Sequence, residues 1–343
     1  MTGSVPTLLL LVSVAMAQAP HLVFSHGVAT DGQSDGQRWM NFVAISSDGR
    51  TVAADGNTPA GEAGALGLWT FPEGEYLRSI AGTPSAISSD FRYFATETGV
   101  QEVETGKNIF QISGQPYIFR RAAFSPSGEY VALVAGGNGG NGKRPQIIVL
   151  KTADGSLRSS FGTRHTKAVA FHPDNQTLAS GHWNNVTVWE VRTGARLALL
   201  MSPRRTIDPT AYNREGRYIS GLGFSRDGRM LAAGSDDGEL QIWDVTTRKL
   251  MHSLKIGFGE TSNPAFNPDG NLVAAGTYED GTVSLVDVSS GKLLSQLQVS
   301  MFGCGSVAFS PDGQYLITPS NGGLLKNGKH ERGGGIRVFR LVQ

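Results

Sequence analysis

The chain has 343 residues, 39% of them apolar, enough to bury a large core; its 45 glycines and 15 prolines follow no triplet period, which excludes a collagen-like fibre. Thirty basic against 29 acidic residues leave a formal charge of +1, so no whole-molecule field draws the protein to nucleic acid or to an anionic membrane. The single cysteine, Cys304, excludes an internal disulfide and a multi-thiolate metal site.

Taken in chain order, the first feature is the apolar run Thr7 to Ala17, too short to span a bilayer comfortably. It ends in Ala15-Met16-Ala17, a small-x-small cleavage pattern, although residues 1–6 carry no Lys or Arg. The expectation is a signal peptide over 1–17 and a secreted or periplasmic domain over 18–343, with no stable membrane insertion after cleavage. An uncleaved amino-terminal membrane anchor is the alternative. His21-Leu22-Val23-Phe24-Ser25 follows as a strand with no first three strands of its own.

From there one phrase recurs. It reads Ile45-Ser46-Ser47-Asp48-Gly49, Ile87-Ser88-Ser89-Asp90, Phe124-Ser125-Pro126-Ser127-Gly128 and Phe171-His172-Pro173-Asp174. It returns as Phe224-Ser225-Arg226-Asp227-Gly228, Phe266-Asn267-Pro268-Asp269-Gly270 and Phe309-Ser310-Pro311-Asp312-Gly313. The anchors lie 37 to 53 residues apart, a period that belongs to propeller blades. The fifth copy is the plainest. A short alternating strand at Gly221–Ser225 is turned by Arg226-Asp227-Gly228, and a second strand of small and apolar residues runs over Arg229–Ser235. Asp237-Gly238 is a hairpin signal that asks for positive φ, and strands at Glu239–Val245 and Lys249–Leu254 complete the blade. Third strands recur at Leu66–Trp69, Val100–Val103, Gln146–Leu150, Val186–Val191, Val283–Val288 and Ile336–Leu341. The last repeat stops after its third strand, so the amino-terminal strand is expected to complete it and close the ring.

These residues make the chain resemble the WD40 repeat family over roughly residues 20–343. Trp243-Asp244-Val245 is the family dipeptide, and Trp189-Glu190-Val191 and Trp69-Thr70 are near copies. The resemblance implies an all-β fold, a seven-bladed propeller of four-stranded antiparallel blades closed by the N-terminal strand. It also implies a hydrogen-bonded arrangement of His165, Ser180 and Trp189. Leu150, Val286 and Phe339 hold the tryptophan's place elsewhere, and Gln101 holds it in the second blade.

In such a ring the turns between strands one and two, and between three and four, share the lower face. The remaining connections share the upper one. The insertions fall above: Asp55–Ala65, Gly136–Pro145, Met201–Ser220 and Ser320–Gly335. They are rich in Lys143, Arg144, Arg204, Arg205, Lys329 and Arg332, a local positive rim suited to an acidic or phosphate-bearing protein or a carboxylated glycan. Trp39 and Trp183 lie outside the repeat pattern, and a loop aromatic is a natural interface anchor or, equally, packing over the channel. These eight residues are the expected partner-binding set. No catalytic triad, metal-ligand spacing or cofactor motif stands out. His26, His165, His182 and His330 come from separate top-side connections, and Gly137 to Gly142 opens no helix that could cradle phosphate. The reading is a non-catalytic, exported platform binding a protein or glycan. The alternative is a propeller enzyme of the lactonase or quinoprotein type, which needs titratable side chains converging at the channel mouth.

Overall fold

A computed structural model describes residues 21–29, 41–56, 64–112, 118–136, 147–162, 166–202, 218–300, 303–320, 325–326, 329–330 and 335–342. They form seven four-stranded antiparallel sheets and one two-stranded ribbon, with no helix among the described residues. Blade five has strands Ile219–Phe224, Met230–Ser235, Glu239–Asp244 and Lys249–Lys255, in that spatial order. Gly238 takes φ +79° as the sequence asks, while Asp237 does not. The connection is a three-residue loop, 236–238, with one left-handed position, the length left between the strands read from sequence. In blade seven, Ala308–Phe309, Tyr315–Ser320 and Gly335–Val342 are joined by His21–Ala29 as the outer strand. That strand pairs antiparallel from His21↔Val342 to Ala29↔Gly335, with an irregularity between Phe24 and His26.

The recurring phrase is a hydrogen-bonding device. Its serine hydroxyl donates to the aspartate two residues on and accepts the amide five residues on. Ser225 Oγ lies 2.6 Å from Asp227 Oδ1 and 2.9 Å from Met230 N. Ser46, Ser88 and Ser310 repeat the first contact with Asp48, Asp90 and Asp312. Asn267 replaces the serine in blade six, and its side-chain oxygen accepts the Leu272 amide at 2.9 Å. Every copy then places one residue at positive φ: Gly49, Phe91, Gly128, Asn175, Gly228, Gly270 and Gly313. Glycine is free to adopt this backbone, which explains its place in five of the seven copies.

The apolar core lies between blades rather than within them. Alternation along each strand sends neighbouring side chains to opposite faces of the sheet. Leu231 and Ala233 thus join a cluster with Val186, Val188 and Leu200 of blade four. Ala232 between them joins Val273, Ala275 and Val286 of blade six. Seven such clusters occur, one at each junction, and the last unites Val43, Val52 and Trp69 of blade one with Ile317, Ile336 and Val338 of blade seven. Leu231 is fully buried, a burial worth roughly 1.5–3 kcal/mol relative to exposure.

The tryptophans fill these junctions in different ways. Trp189 Nε1 donates to Ser180 Oγ at 2.8 Å, the serine–tryptophan half of the arrangement the sequence implied; His165 lies outside the described residues. Trp243 Nε1 donates to Gln241 Oε1 at 3.2 Å. Trp69 is just as buried, but its indole N–H has no hydrogen-bond partner among the described residues. Cys304 is fully buried, its sulfur 2.8 Å from Thr318 Oγ1, and burial pushes its thiol up to about 12.

Candidate functional site

Of the eight residues expected to bind a partner, Trp183 and Lys329 fall within the described part of the chain. Trp39, Lys143, Arg144, Arg204, Arg205 and Arg332 lie outside it. Lys329 belongs to a two-residue ribbon paired with Lys326, within the upper connection of blade seven. Trp183 is half-buried in the upper connection of blade four. It reaches across to blade five, bridging the backbone of Tyr218 and meeting its ring edge-on at 5.5 Å.

The Trp183–Tyr218 contact leads to a set of charged groups around the upper mouth of the central channel. Tyr218 begins blade five, and its amide donates to Asp236 Oδ1 at 2.9 Å. Asp236 sits in the upper connection of the same blade, so its carboxylate staples that loop to the start of the first strand. Its other oxygen, Oδ2, is buried without a hydrogen-bond partner among the described residues. Burial holds the Asp236 carboxyl above the ordinary carboxylate range, only partly offset by the Tyr218 amide and by the charge of Lys167. Lys167, just ahead of blade four's first strand, places its Nζ 4.0 Å from the centre of the Tyr218 ring.

A second group faces the first. Arg121 belongs to the first strand of blade three, Ile118–Phe124, just after a register shift in its pairing with the second strand. Its guanidinium lies 2.9 Å from Glu260, in the connection from blade five to blade six. Blades three and six are as far apart round the ring as seven blades permit, so this ion pair crosses the channel. Its side chains are 41% and 43% exposed, and an exposed pair of this kind contributes little net stability. The Glu260 carbonyl accepts the Tyr278 amide at 2.9 Å. Burial, then Glu260 and Asp55, push the Tyr278 phenol above its usual value. Asp55, closing the second strand of blade one, accepts the amides of Asn41 and Phe42 at 2.8 and 2.9 Å. It is 6% exposed, and desolvation raises its carboxyl to about 6.

Sequence reading missed this constellation. Arg121 follows Phe119-Arg120 at the start of blade three, far in sequence from Glu260. Two successive arginines in an innermost strand were the available signal. Among the described residues no group of His, Cys, Asp and Glu has the grouping of a metal site. His182 is committed to Thr187 Oγ1 at 2.7 Å, and burial lowers its imidazole.

Seven blades joined through seven inter-blade cores define a β-propeller. The WD domain, G-beta repeat model matches residues 155–190, from the last turn of blade three through the third strand of blade four. This repeat match, the WD-repeat relatives below and the seven-bladed ring support a WD40 repeat β-propeller. An uncharacterized WD repeat-containing protein of Synechocystis, sll1491, is 27% identical over 59% of this chain and 51% of its own length. Telomerase protein component 1 of Rattus norvegicus is 24% identical over 68% of this chain but 8% of its own. The antiviral protein SKI8 of Saccharomyces cerevisiae is 26% identical over 26% of this chain and 24% of its own. The chain thus spans about half of the first relative and a small part of the second.

A Cytochrome D1 heme domain model also matches, over residues 184–304. Haem iron takes His, Cys, Met or Tyr as its protein ligand. In that stretch His252 lies on the outer strand of blade five, bonded to the Ser289 carbonyl at 3.1 Å. Cys304 is sealed in a core, Met201 and Met251 are exposed on outer strands, and Met230 packs on the blade five–six cluster. Tyr218 lies under Lys167, and the raised Tyr278 phenol opposes ligation as phenolate. Of the described residues in that stretch, none fits a haem as a ligand. No helix among the described residues is long and apolar enough to cross a membrane.

Proposed function

We propose that this chain is a non-catalytic, exported interaction platform that holds a protein partner on its upper face. The observation that carries the reading is the asymmetry of the ring. Below, the turns repeat one hydrogen-bonded design; above, the connections vary and present Trp183, Tyr218, Tyr278 and a charged mouth. Variation confined to one face of a repeat array is how such arrays acquire a binding surface. By sequence the rim adds Trp39 and the cations Lys143, Arg144, Arg204, Arg205, Lys329 and Arg332, which suit acidic groups of a protein or a carboxylated glycan. Export rests on the apolar run ending at Ala17.

The test is capture of a partner with the chain 18–343, followed by association kinetics. Reversing Arg204 and Arg205 to Glu slows association about tenfold at low salt, and the parent shows a steep ionic-strength dependence. Lys292→Glu, on the exposed lower turn Ser290-Gly291-Lys292, changes little. Equal effects from both faces overturn the assignment. The Cytochrome D1 match favours a second reading, a propeller enzyme working at the mouth. Turnover abolished by Glu260→Gln at constant substrate affinity supports that reading over the first.

A further inference from the structure

The mouth of the channel contains the same trio twice. In one, Glu260 faces Arg121 beside Tyr278. In the other, Asp236 lies within the field of Lys167, whose ammonium sits over Tyr218. Glu260 acts on both Asp236 and Tyr278, so the two trios share one negative field. Acids and bases are held very differently within them. Asp236 is tied through Oδ1 to the Tyr218 amide, and Glu260 sits in a connection whose carbonyl is bonded to Tyr278. Arg121 and Lys167 instead reach their places at the ends of long side chains that start from blades three and four, Lys167 from an exposed position. The Asp236 carboxylate and the Glu260 backbone are fixed locally, whereas the two cations are replaceable. Asp236 Oδ2 moreover is buried with no donor among the described residues, an arrangement that is costly when nothing replaces the lost hydrogen bond. A tyrosine face beside a carboxylate is a favourable seat for an ammonium or guanidinium group.

We propose that the channel mouth is a binding site for an organic cation carrying two ammonium or guanidinium groups, which takes the places of Arg121 on Glu260 and of Lys167 against Asp236 and Tyr218. The site lies on the face proposed above for partner binding and deepens that reading by naming the chemistry its centre accepts. The same chemistry is offered by a free polyamine and by two basic side chains of a peptide.

The experiment titrates the intact chain with spermidine, with the dipeptide amide Ac-Arg-Arg-NH2 and with its neutral isostere Ac-Cit-Cit-NH2. Binding is followed by calorimetry and by tryptophan fluorescence, since Trp183 rests on Tyr218. Saturable binding of a cationic probe below about 1 mM, with none of the citrulline peptide at about 10 mM, is expected. Tighter binding of spermidine identifies a free amine as the source, and tighter binding of the arginine peptide identifies a peptide. Glu260→Gln and Asp236→Asn each weaken the cationic probe about tenfold. Asp236→Asn keeps an acceptor for the Tyr218 amide, so the loop stays in place. Arg121→Gln strengthens binding about threefold, because it removes the resident competitor together with its like charge. Near-ultraviolet circular dichroism of each variant reports its fold. Equal binding of the citrulline peptide, or weakening by Arg121→Gln, overturns the proposal. Partner capture is a separate measurement, so a failed titration leaves the platform reading standing, and a failed capture leaves this site standing.

Discussion

Aspartate is used on both faces of the ring, under opposite physical conditions. In the lower turns Asp48 and Asp227 are solvent-facing, and a serine hydroxyl followed by a backbone amide hold their carboxyls below the ordinary value. On the upper face Asp55 and Asp236 are drawn into the protein, and burial raises them despite the amides they accept. The lower carboxylates stabilise their turns when charged. Their contribution is in place above the ordinary carboxylate range and fades as pH falls through it. The upper ones are costly when charged, so their penalty appears as pH rises. A face that repeats a satisfied design is built for stability. A face that keeps charge in a poorly solvated place gives up stability for something else, and recognition of charged groups is what such places do best.

The largest expected effect tests how far a single upper connection is constrained. Gly238 has φ +79°, and a Cβ there would lie 2.2 Å from the Gly257 carbonyl oxygen. Gly238→Val should therefore cost several kcal/mol, about 3 or more, in urea unfolding. Gly49→Ala shares the positive φ but meets only the Pro311 ring, its Cδ at 3.4 Å and Cγ at 3.7 Å. It should cost about 1 kcal/mol, the backbone strain alone. Similar losses from the two would mean that both faces constrain glycine in one way.

Next comes pH. With the Asp55 carboxyl at about 6 against an ordinary 3.8, folding is favoured by its protonated form. That contribution is complete below pH ~4 and is lost by pH ~7, a change of about 3 kcal/mol. Asp55→Asn retains an acceptor for Asn41 and Phe42, so its stability relative to the parent should rise across this window by that amount. A difference that stays flat with pH would refute the buried-carboxylate account. The smallest effect belongs to the lower face. Ser225→Ala removes the acceptor of the Met230 amide and the donor to Asp227. Loss of about 1 kcal/mol in the melting midpoint analysis is expected, nearly independent of salt. A loss several times larger would make the lower turn a keystone rather than one of seven equivalents.

The lower face was legible in sequence because each of its contacts is local. Ser225, Asp227, Gly228 and Met230 lie within six residues, so the phrase itself spells out the hydrogen bonds. Blade five was readable strand by strand for the same reason. Blade two was harder: Asp90 is followed by Phe91 at φ +56°, where other copies place glycine, and its ring packs on the core between blades one and two. The upper site was not legible. Arg121 and Glu260 are 139 residues apart, and their contact depends on the curvature that seven twisted sheets accumulate around the ring. The hairpin at Gly238 was legible in both its φ and its length, because the strand patterns ending at Ser235 and starting at Glu239 leave three residues between them.

The placement of the cores at the junctions has a consequence for how the molecule comes apart. Ala53 faces blade two while its neighbours Val52 and Ala54 face blade seven, so blade one closes two cores at once. Pulling any blade out uncovers apolar surface on both of its neighbours, and in a ring neither neighbour is an end that could tolerate the loss. Local melting is therefore penalised twice over. Amides of Ala53, Ala95, Ala132, Ala179, Ala232 and Ala274, all fully buried in second strands, should exchange with solvent only when the whole ring opens, at one shared rate, whereas the outer strands fray independently.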